Sequence, residues 1–194
     1  MAKDEKIKDP IQTRPVTSGI SLRDDNEVVM LAVKNDGNSL EYAGEQLKSD
    51  REIVKAAVGK SGYALEFASE DLRADSEIVS VAVQEDGSAL EWAADSLKAD
   101  PEIVTIAVKQ NGYALKFASQ KIRDDKKIVL IALAQDGSSL EHSSERLRGD
   151  REVVLTAIKN SAWAIEYASP ELRADKKVVM AAVAKEGHLL QFVN

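Results

Sequence analysis

The sequence predicts an all-α solenoid of seven 25-residue helix-turn-helix repeats, with a pseudo-period of 50 residues and a truncated last repeat. Two observations carry this prediction. Rows of valine, alanine and leucine or isoleucine, which begin at Val29, Ala32 and Leu40, recur every 25 residues. Aspartate keeps the same interval without an insertion, at Asp25, Asp50, Asp75, Asp100, Asp125, Asp150 and Asp175. A unit this short cannot bury its apolar face alone, so the repeats are expected to stack on one another.

The first element of each repeat is predicted to be a helix of about three turns. In the second repeat, Asp50 stands at the N-cap position, and the apolar residues between 53 and 58 recur at helical spacing. Gly62 is expected to end this helix as a left-handed cap. Pro101 directly follows Asp100, which fits the first helical position because no backbone N–H is needed there.

The second element is predicted to be a shorter helix of about two turns, followed by a connecting turn. Pro170 is poorly tolerated inside a helix, so the second helix is expected to end near Ala168. A row of leucine or isoleucine is expected to hold the turn against the core, at Leu22, Leu47, Leu72, Leu97, Ile122, Leu147 and Leu172.

The two ends of the chain differ from the middle. Residues 1–20 contain Pro10 and Pro15 and are expected to form a mobile tail, which leaves 21–194 as a single solenoid domain. Solenoids usually end in a unit with a polar outer face, and the last repeat lacks one. Its apolar side chains are expected either to fold back as a cap on a monomer or to form a weak dimer interface, through Leu189, Leu190, Phe192 and Val193.

The repeat pattern resembles the DUF4116 family, tandem helical repeats of unknown function. The resemblance covers residues 22–192, recurs seven times and implies a helical repeat fold with no established activity, cofactor or catalytic residue. Two positions depart from the family pattern, because Ala162 replaces the usual glycine and His142 replaces an aromatic residue. The matching pattern is clearest in Asn111, Gly112, Tyr113, Ala114, Leu115, Lys116, Phe117, Ala118 and Ser119, then Ile122, Arg123, Asp124 and Asp125, then Ile128, Val129, Ala132 and Leu133.

A period of 50 residues is also visible without that resemblance. Aromatic residues follow the glycine position only in even repeats, at Tyr63, Tyr113 and Trp163. Aspartate precedes the glycine in odd repeats, at Asp36, Asp86 and Asp136. The ancestor of the array is therefore interpreted as a pair of units.

Composition and charge disfavour several classes of function. The 194 residues carry a formal net charge of -7, which argues against nucleic-acid or anionic-membrane binding. There is no cysteine, so disulfides and thiolate chemistry are excluded. Without an apolar N-terminal run or a stretch of about 20 apolar residues, the protein is expected to be cytoplasmic, although specialised export would leave no such mark.

The sequence contains no arrangement that predicts catalysis or a cofactor. His142 and His188 are the two histidines, and they lie nearly two repeats apart. The seven periodic aspartates are interpreted as helix caps rather than as metal ligands. His142 occupies an aromatic row and is interpreted as a residue at the edge of the core. We therefore expect a protein without enzymatic activity, metal or cofactor.

Two groups of residues are candidates for binding a partner. Tyr63, Tyr113 and Trp163 are expected to be partly exposed, where they could stack on a peptide or glycan or simply extend the core. A local reversal of charge in the fourth and fifth repeats marks either a contact patch or sequence drift, and it comprises Lys116, Lys121, Lys126 and Lys127.

The leading function predicted from the sequence is a non-enzymatic scaffold for a protein or peptide partner, because a solenoid offers a long, continuous surface. Two alternatives remain open at this point. One is a subunit whose role is self-assembly, and the other is the non-catalytic repeat region of a larger effector or enzyme.

Overall fold

The computed structural model describes residues 21–192, without the side chain of Phe192. Within that range every regular element is helical, and the pattern of elements repeats every 25 residues. The predicted all-α solenoid is therefore confirmed. The tail predicted for residues 1–20 lies outside the described residues.

The first element of each repeat is the predicted long helix. Each begins directly after one of the periodic aspartates, whose side chain accepts hydrogen bonds from two backbone N–H groups. Asp50 accepts them from Glu52 and Ile53. Six of these helices have ten residues and the last has eight. They span Asn26–Asn35, Arg51–Lys60, Ser76–Glu85, Pro101–Gln110, Lys126–Gln135, Arg151–Asn160 and Lys176–Val183.

The second element is a 3-10 helix of six residues, which makes the two turns that were predicted for a short helix here. Gly62, Leu65 and Ala68 are buried at intervals of three residues. That interval matches the three residues per turn of a 3-10 helix. Ala64 is buried as well, so the element faces the core with more than this one edge. These helices span Gly37–Tyr42, Gly62–Phe67, Gly87–Trp92, Gly112–Phe117, Gly137–His142, Ala162–Tyr167 and Gly187–Phe192.

The predicted connecting turn is a four-residue α-helix. Pro170 opens one of these short helices, in agreement with the predicted end of the preceding element. The leucine row holds the short helices to the core as expected, since Leu47, Leu72 and Leu147 are buried. The prediction is wrong for Leu22, which is 71% exposed in the 3-10 turn before the first long helix. The short helices span Glu45–Lys48, Glu70–Arg73, Asp95–Lys98, Gln120–Arg123, Glu145–Arg148 and Pro170–Arg173, and a 3-10 turn at Leu22–Asp24 precedes the first long helix.

The elements stack in layers around one continuous apolar core. Each long helix contacts the long helices of its neighbours, and each 3-10 helix contacts the neighbouring 3-10 helices. Alanines such as Ala57, Ala82 and Ala107 lie fully buried between the layers, where their small side chains permit close approach. Every internal repeat is thus covered by the repeat before it and the repeat after it.

A ladder of backbone hydrogen bonds joins the repeats at the short helices. Just before each short helix, one N–H donates to the carbonyl at the end of the preceding repeat's short helix. Examples are Ser69 to Lys48 at 3.0 Å and Ala94 to Arg73 at 2.9 Å. The 25-residue interval without insertions keeps this ladder in register across the six interfaces of the described chain.

Glycine recurs at the same position of nearly every repeat, and its role there differs from the predicted one. Gly62 opens the 3-10 helix, and Ser61 caps the long helix in an extended conformation, so the predicted left-handed cap is wrong. A Cβ at Gly62 would lie 2.4 Å from the carbonyl oxygen of Ala82 in the next repeat. Glycine is required for close approach rather than for a positive φ. Ala162 replaces glycine in the sixth repeat. The long helix that follows it, Lys176–Val183, has eight residues instead of ten.

Candidate interaction surface

The stacked 3-10 helices present a row of partly exposed aromatic side chains. Tyr63 is 45% exposed, and Tyr113 and Trp163 are each 40% exposed. Their predicted partial exposure is confirmed. Because they follow the glycine position in alternate repeats, the rings recur along one face of the solenoid.

Each of these rings belongs to a small aromatic cluster. Tyr63 meets Phe67 edge-on at 6.5 Å between ring centroids, as expected for residues four apart, and meets Trp92 of the next repeat at 5.9 Å. Tyr113 contacts Phe117 at 6.3 Å and His142 of the next repeat at 4.9 Å. The contacts across repeats were not predicted, although the 25-residue offset between the two rows was visible in the sequence.

The third cluster also includes a contact across repeats, since the rings of Trp163 and His188 lie 5.0 Å apart, here in a tilted arrangement. All three clusters therefore join an even repeat to the odd repeat that follows it. The pseudo-period of 50 residues is the period of these ring clusters, and it describes the surface as well as the sequence.

A row of carboxylates runs beside the rings. It occupies the position one residue before the aromatic at the end of each 3-10 helix and comprises Glu41, Glu66, Glu91, Glu141 and Glu166. Within residues 21–192 none of these carboxylates forms an ion pair with lysine or arginine. A hydrogen bond to Glu66, together with the charges of Glu66 and Glu91, raises the pKa of Tyr63. We name this surface of rings and carboxylates the ring face.

Gln191 replaces the carboxylate in the seventh repeat, and Lys116 replaces it in the fourth. The Nζ of Lys116 donates a hydrogen bond to the Tyr113 hydroxyl at 3.1 Å and lies 5.3 Å from the Tyr113 ring centroid and 5.6 Å from that of Phe117. These distances are within the range of a cation–π interaction. The hydrogen bond to Tyr113 is the main cause of a raised Lys116 pKa, and the charges of Glu91 and Glu141 contribute.

The other predicted basic residues lie on different elements from Lys116. Lys121 is exposed on the short helix Gln120–Arg123, and Lys127 is exposed in the first turn of the next long helix. Lys126 pairs with Asp150 and Glu152 of the following repeat, each at 2.8 Å. The four lysines therefore lie on three helices, and Lys126 is part of an ion pair between repeats.

An open cleft of about 860 Å³ lies between two neighbouring short helices. Lys121 and Arg148 line it together with other charged side chains of both signs. Arg146 donates to the carboxylate of Asp124, which also accepts a hydrogen bond from Ser144. Much of the positive charge in the cleft is thus already matched by this chain.

The two histidines lie in different repeats and in different surroundings. His142 is half-buried at the edge of the core, as expected, and burial is the main cause of its lowered pKa. His188 lies at the start of the last 3-10 helix, with Nε2 3.5 Å from a carboxylate oxygen of Glu186. No group of three potential metal ligands occurs among the described residues. No helix in the same range is long and apolar enough to cross a membrane.

The predicted C-terminal cap is described only in part. Leu189 is fully buried, whereas Leu190 is 63% exposed. Leucines equivalent to Leu190, such as Leu65, are buried because a following repeat covers them. The side chain of Phe192 and all of Val193 lie outside the described residues, so the choice between cap and interface stays a prediction.

Comparison with known protein families gives one result. The family model described as a domain of unknown function, DUF4116, matches residues 25–73, 50–98, 75–123, 100–148 and 150–194. Each matched segment covers about two of the repeats, and the first four are offset from one another by 25 residues. No curated protein and no solved structure matches the chain.

Proposed function

The chain belongs to the DUF4116 family, and we propose that it is a non-catalytic scaffold that binds an extended segment of a partner protein along its ring face. The observation that carries the proposal is the row of partly exposed rings at Tyr63, Tyr113 and Trp163. Large aromatic side chains provide much of the energy at protein interfaces, because they bury a large area at a small cost in side-chain entropy.

The stacked repeats hold these rings in fixed relative positions. Each ring packs against a ring or imidazole of the next repeat, so a partner does not have to order it on binding. An extended segment that follows the ring face can contact all three clusters at once. Weak contacts at single clusters then combine, because the later contacts form within one complex.

The proposal is tested by selecting binders from a displayed library of random peptides on the native protein. We expect enriched peptides whose affinity falls at least tenfold when Tyr63, Tyr113 and Trp163 are all changed to alanine. The matched control changes Leu130, Leu155 and Met180 to alanine. These side chains lie on long helices, away from the ring face.

Circular dichroism and thermal melting check that both triple variants remain folded. Library enrichment that is equal for the native protein and the ring variant would contradict binding through the ring face. Failure to enrich any peptide on the folded native protein would contradict the scaffold function itself.

A further inference from the structure

The contact between Lys116 and the second ring cluster shows how a cation fits the ring face. The ammonium group lies over two rings, donates to a phenolic oxygen and stands between carboxylates of the preceding and following repeats. The rings provide cation–π attraction, and Glu91 and Glu141 add favourable charge. This chain thus supplies its own cation at the middle cluster.

The first and third clusters occupy the equivalent positions of their repeats, with different rings and with a carboxylate in the place of Lys116, at Glu66 and Glu166. At the first cluster, Glu66 directly precedes Phe67 and Glu91 directly precedes Trp92, so two carboxylates lie beside the rings that Tyr63 contacts. At the third, Glu166 lies on the same 3-10 helix as Trp163. Both clusters therefore combine aromatic faces with carboxylates that form no ion pair within the described chain.

We propose that the ring face recognises a basic extended segment, with lysine or arginine side chains of the partner lying over the first and third ring clusters beside Glu66 and Glu166. The inference rests on the proposed scaffold function and adds the chemistry of the partner. Lys116 sets the register, because its positive charge disfavours a third cation at the middle cluster.

The spacing of the repeats defines the length of the partner segment. Tyr63 and Trp163 are four repeats apart, which corresponds to roughly 32–40 Å at the usual distance of 8–10 Å between packed helices. An extended chain covers about 3.3 Å per residue, so the two basic side chains should be about 10–12 residues apart.

The test uses a fluorescent 16-residue peptide of alternating arginine and serine, with a glutamine-serine peptide as the neutral control. We expect binding of the arginine peptide by the native protein and at least tenfold weaker binding by the variant Glu66→Lys with Glu166→Lys. Lys116→Glu converts the middle cluster into a third acidic site and is expected to bind the same peptide at least threefold more tightly.

A second variant with two exchanges separates the ring face from general charge attraction. Glu85→Lys with Glu102→Lys alters exposed positions on long helices, and both pairs of exchanges bring the net charge from -7 to -3. The proposal requires this control to bind nearly as well as the native protein. Circular dichroism must show unchanged helicity for every variant.

Three outcomes overturn the proposal. These are equal weakening by the two variants, equal binding of the arginine and glutamine peptides, and unchanged affinity in Lys116→Glu. The peptide selection described above keeps the two hypotheses apart. If it enriches neutral or acidic peptides that depend on the rings, the scaffold function stands and the preference for a basic partner is wrong.

Discussion

At the scale of single residues, neighbouring repeats approach one another closely because glycine and alanine occupy the positions between them. The carbonyl oxygen of Ala82 approaches the α-carbon of Gly62 so closely that no side chain fits between the two repeats. The same contact joins Gly112 to Ala132 and Gly137 to Ala157. A methyl group at one of these glycines would have to displace the backbone of the facing long helix, because that helix is packed between two neighbouring repeats.

Gly62→Ala is therefore expected to destabilise the protein by about 1–3 kcal/mol, the usual cost of overpacking a close interface. Chemical denaturation followed by circular dichroism measures the change. Gly149→Ala is the matched control, since its Cβ would lie 3.5 Å from the nearest atom and Ala74 and Ala99 occupy the equivalent position naturally. This control should be neutral or slightly stabilising. Equal effects of the two changes would contradict the assigned role of Gly62.

At the scale of elements, the short helices have a larger role than a turn. Each is preceded by a residue in extended conformation whose N–H reaches back to the previous repeat, as Ala94 does to Arg73. This hydrogen bond fixes the end of one repeat to the end of the next. The buried leucine row stabilises the same position from the core side.

Ala94→Pro tests the ladder because it removes one donor with little change in backbone conformation. Ala94 has φ -61° and Ala93 has ψ 152°, and both values suit a proline at position 94. We expect a loss of about 1–3 kcal/mol in the free energy of unfolding, since the Arg73 carbonyl loses its partner. Glu70→Pro is the control, because the equivalent residue is naturally Pro170. If both proline variants melt alike, the ladder does not contribute to stability.

The elements also show what sequence reasoning could and could not predict. The caps at Asp50 and its equivalents were predictable, because N-capping is a local interaction between a side chain and the next turn. The 3-10 helix was not, because residues 62–68 contain good α-helix formers and only the packing of neighbouring repeats selects the tighter helix. The interval of three between Gly62, Leu65 and Ala68 was the available signal.

The sequence was enough to predict which residues form the ring face. It was not enough to predict which side chains of the next repeat they contact. The alternation of Tyr63, Tyr113 and Trp163 marked the rings, and their exposure followed from their place on the helix. Their contacts with Trp92 and His142 depend on how one repeat sits on the next, which no local pattern records. The position of Lys116 over Tyr113 depends on the same stacking and on the rotamer of a long side chain.

At the scale of the whole molecule, ion pairs form both within repeats and between them. The basic row that includes Lys48 and Arg148 pairs within its own repeat, with Glu45 and Glu145. Pairs between repeats are formed by other residues. Arg51 in the first turn of a long helix contacts Asp75 and Glu77. Arg146 on a short helix contacts Asp124. These pairs are partly exposed, so each is expected to contribute at most about 1 kcal/mol.

Stability of the whole array should therefore be close to a sum over repeats and the interfaces between neighbours. Deletion of residues 75–124 removes two whole repeats and keeps the register of the backbone ladder. The second repeat is then followed directly by the fifth. We expect the five-repeat protein to fold with unchanged helicity per residue. Its denaturant m-value should fall to about 70% of the native value, because the surface exposed on unfolding falls in proportion.

Deletion of residues 75–111 is the control for this design, because it removes the third repeat and also the long helix of the fourth. A short helix is then joined directly to the 3-10 helix that begins at Gly112. The adjoining repeats then lack the partner that covers their alanines, and we expect loss of cooperative unfolding or aggregation. The two deletions should differ strongly although the second removes fewer residues. If the deletion of two whole repeats is as damaging as the control, stability depends on contacts beyond nearest neighbours, and the solenoid cannot be treated as a chain of equivalent interfaces.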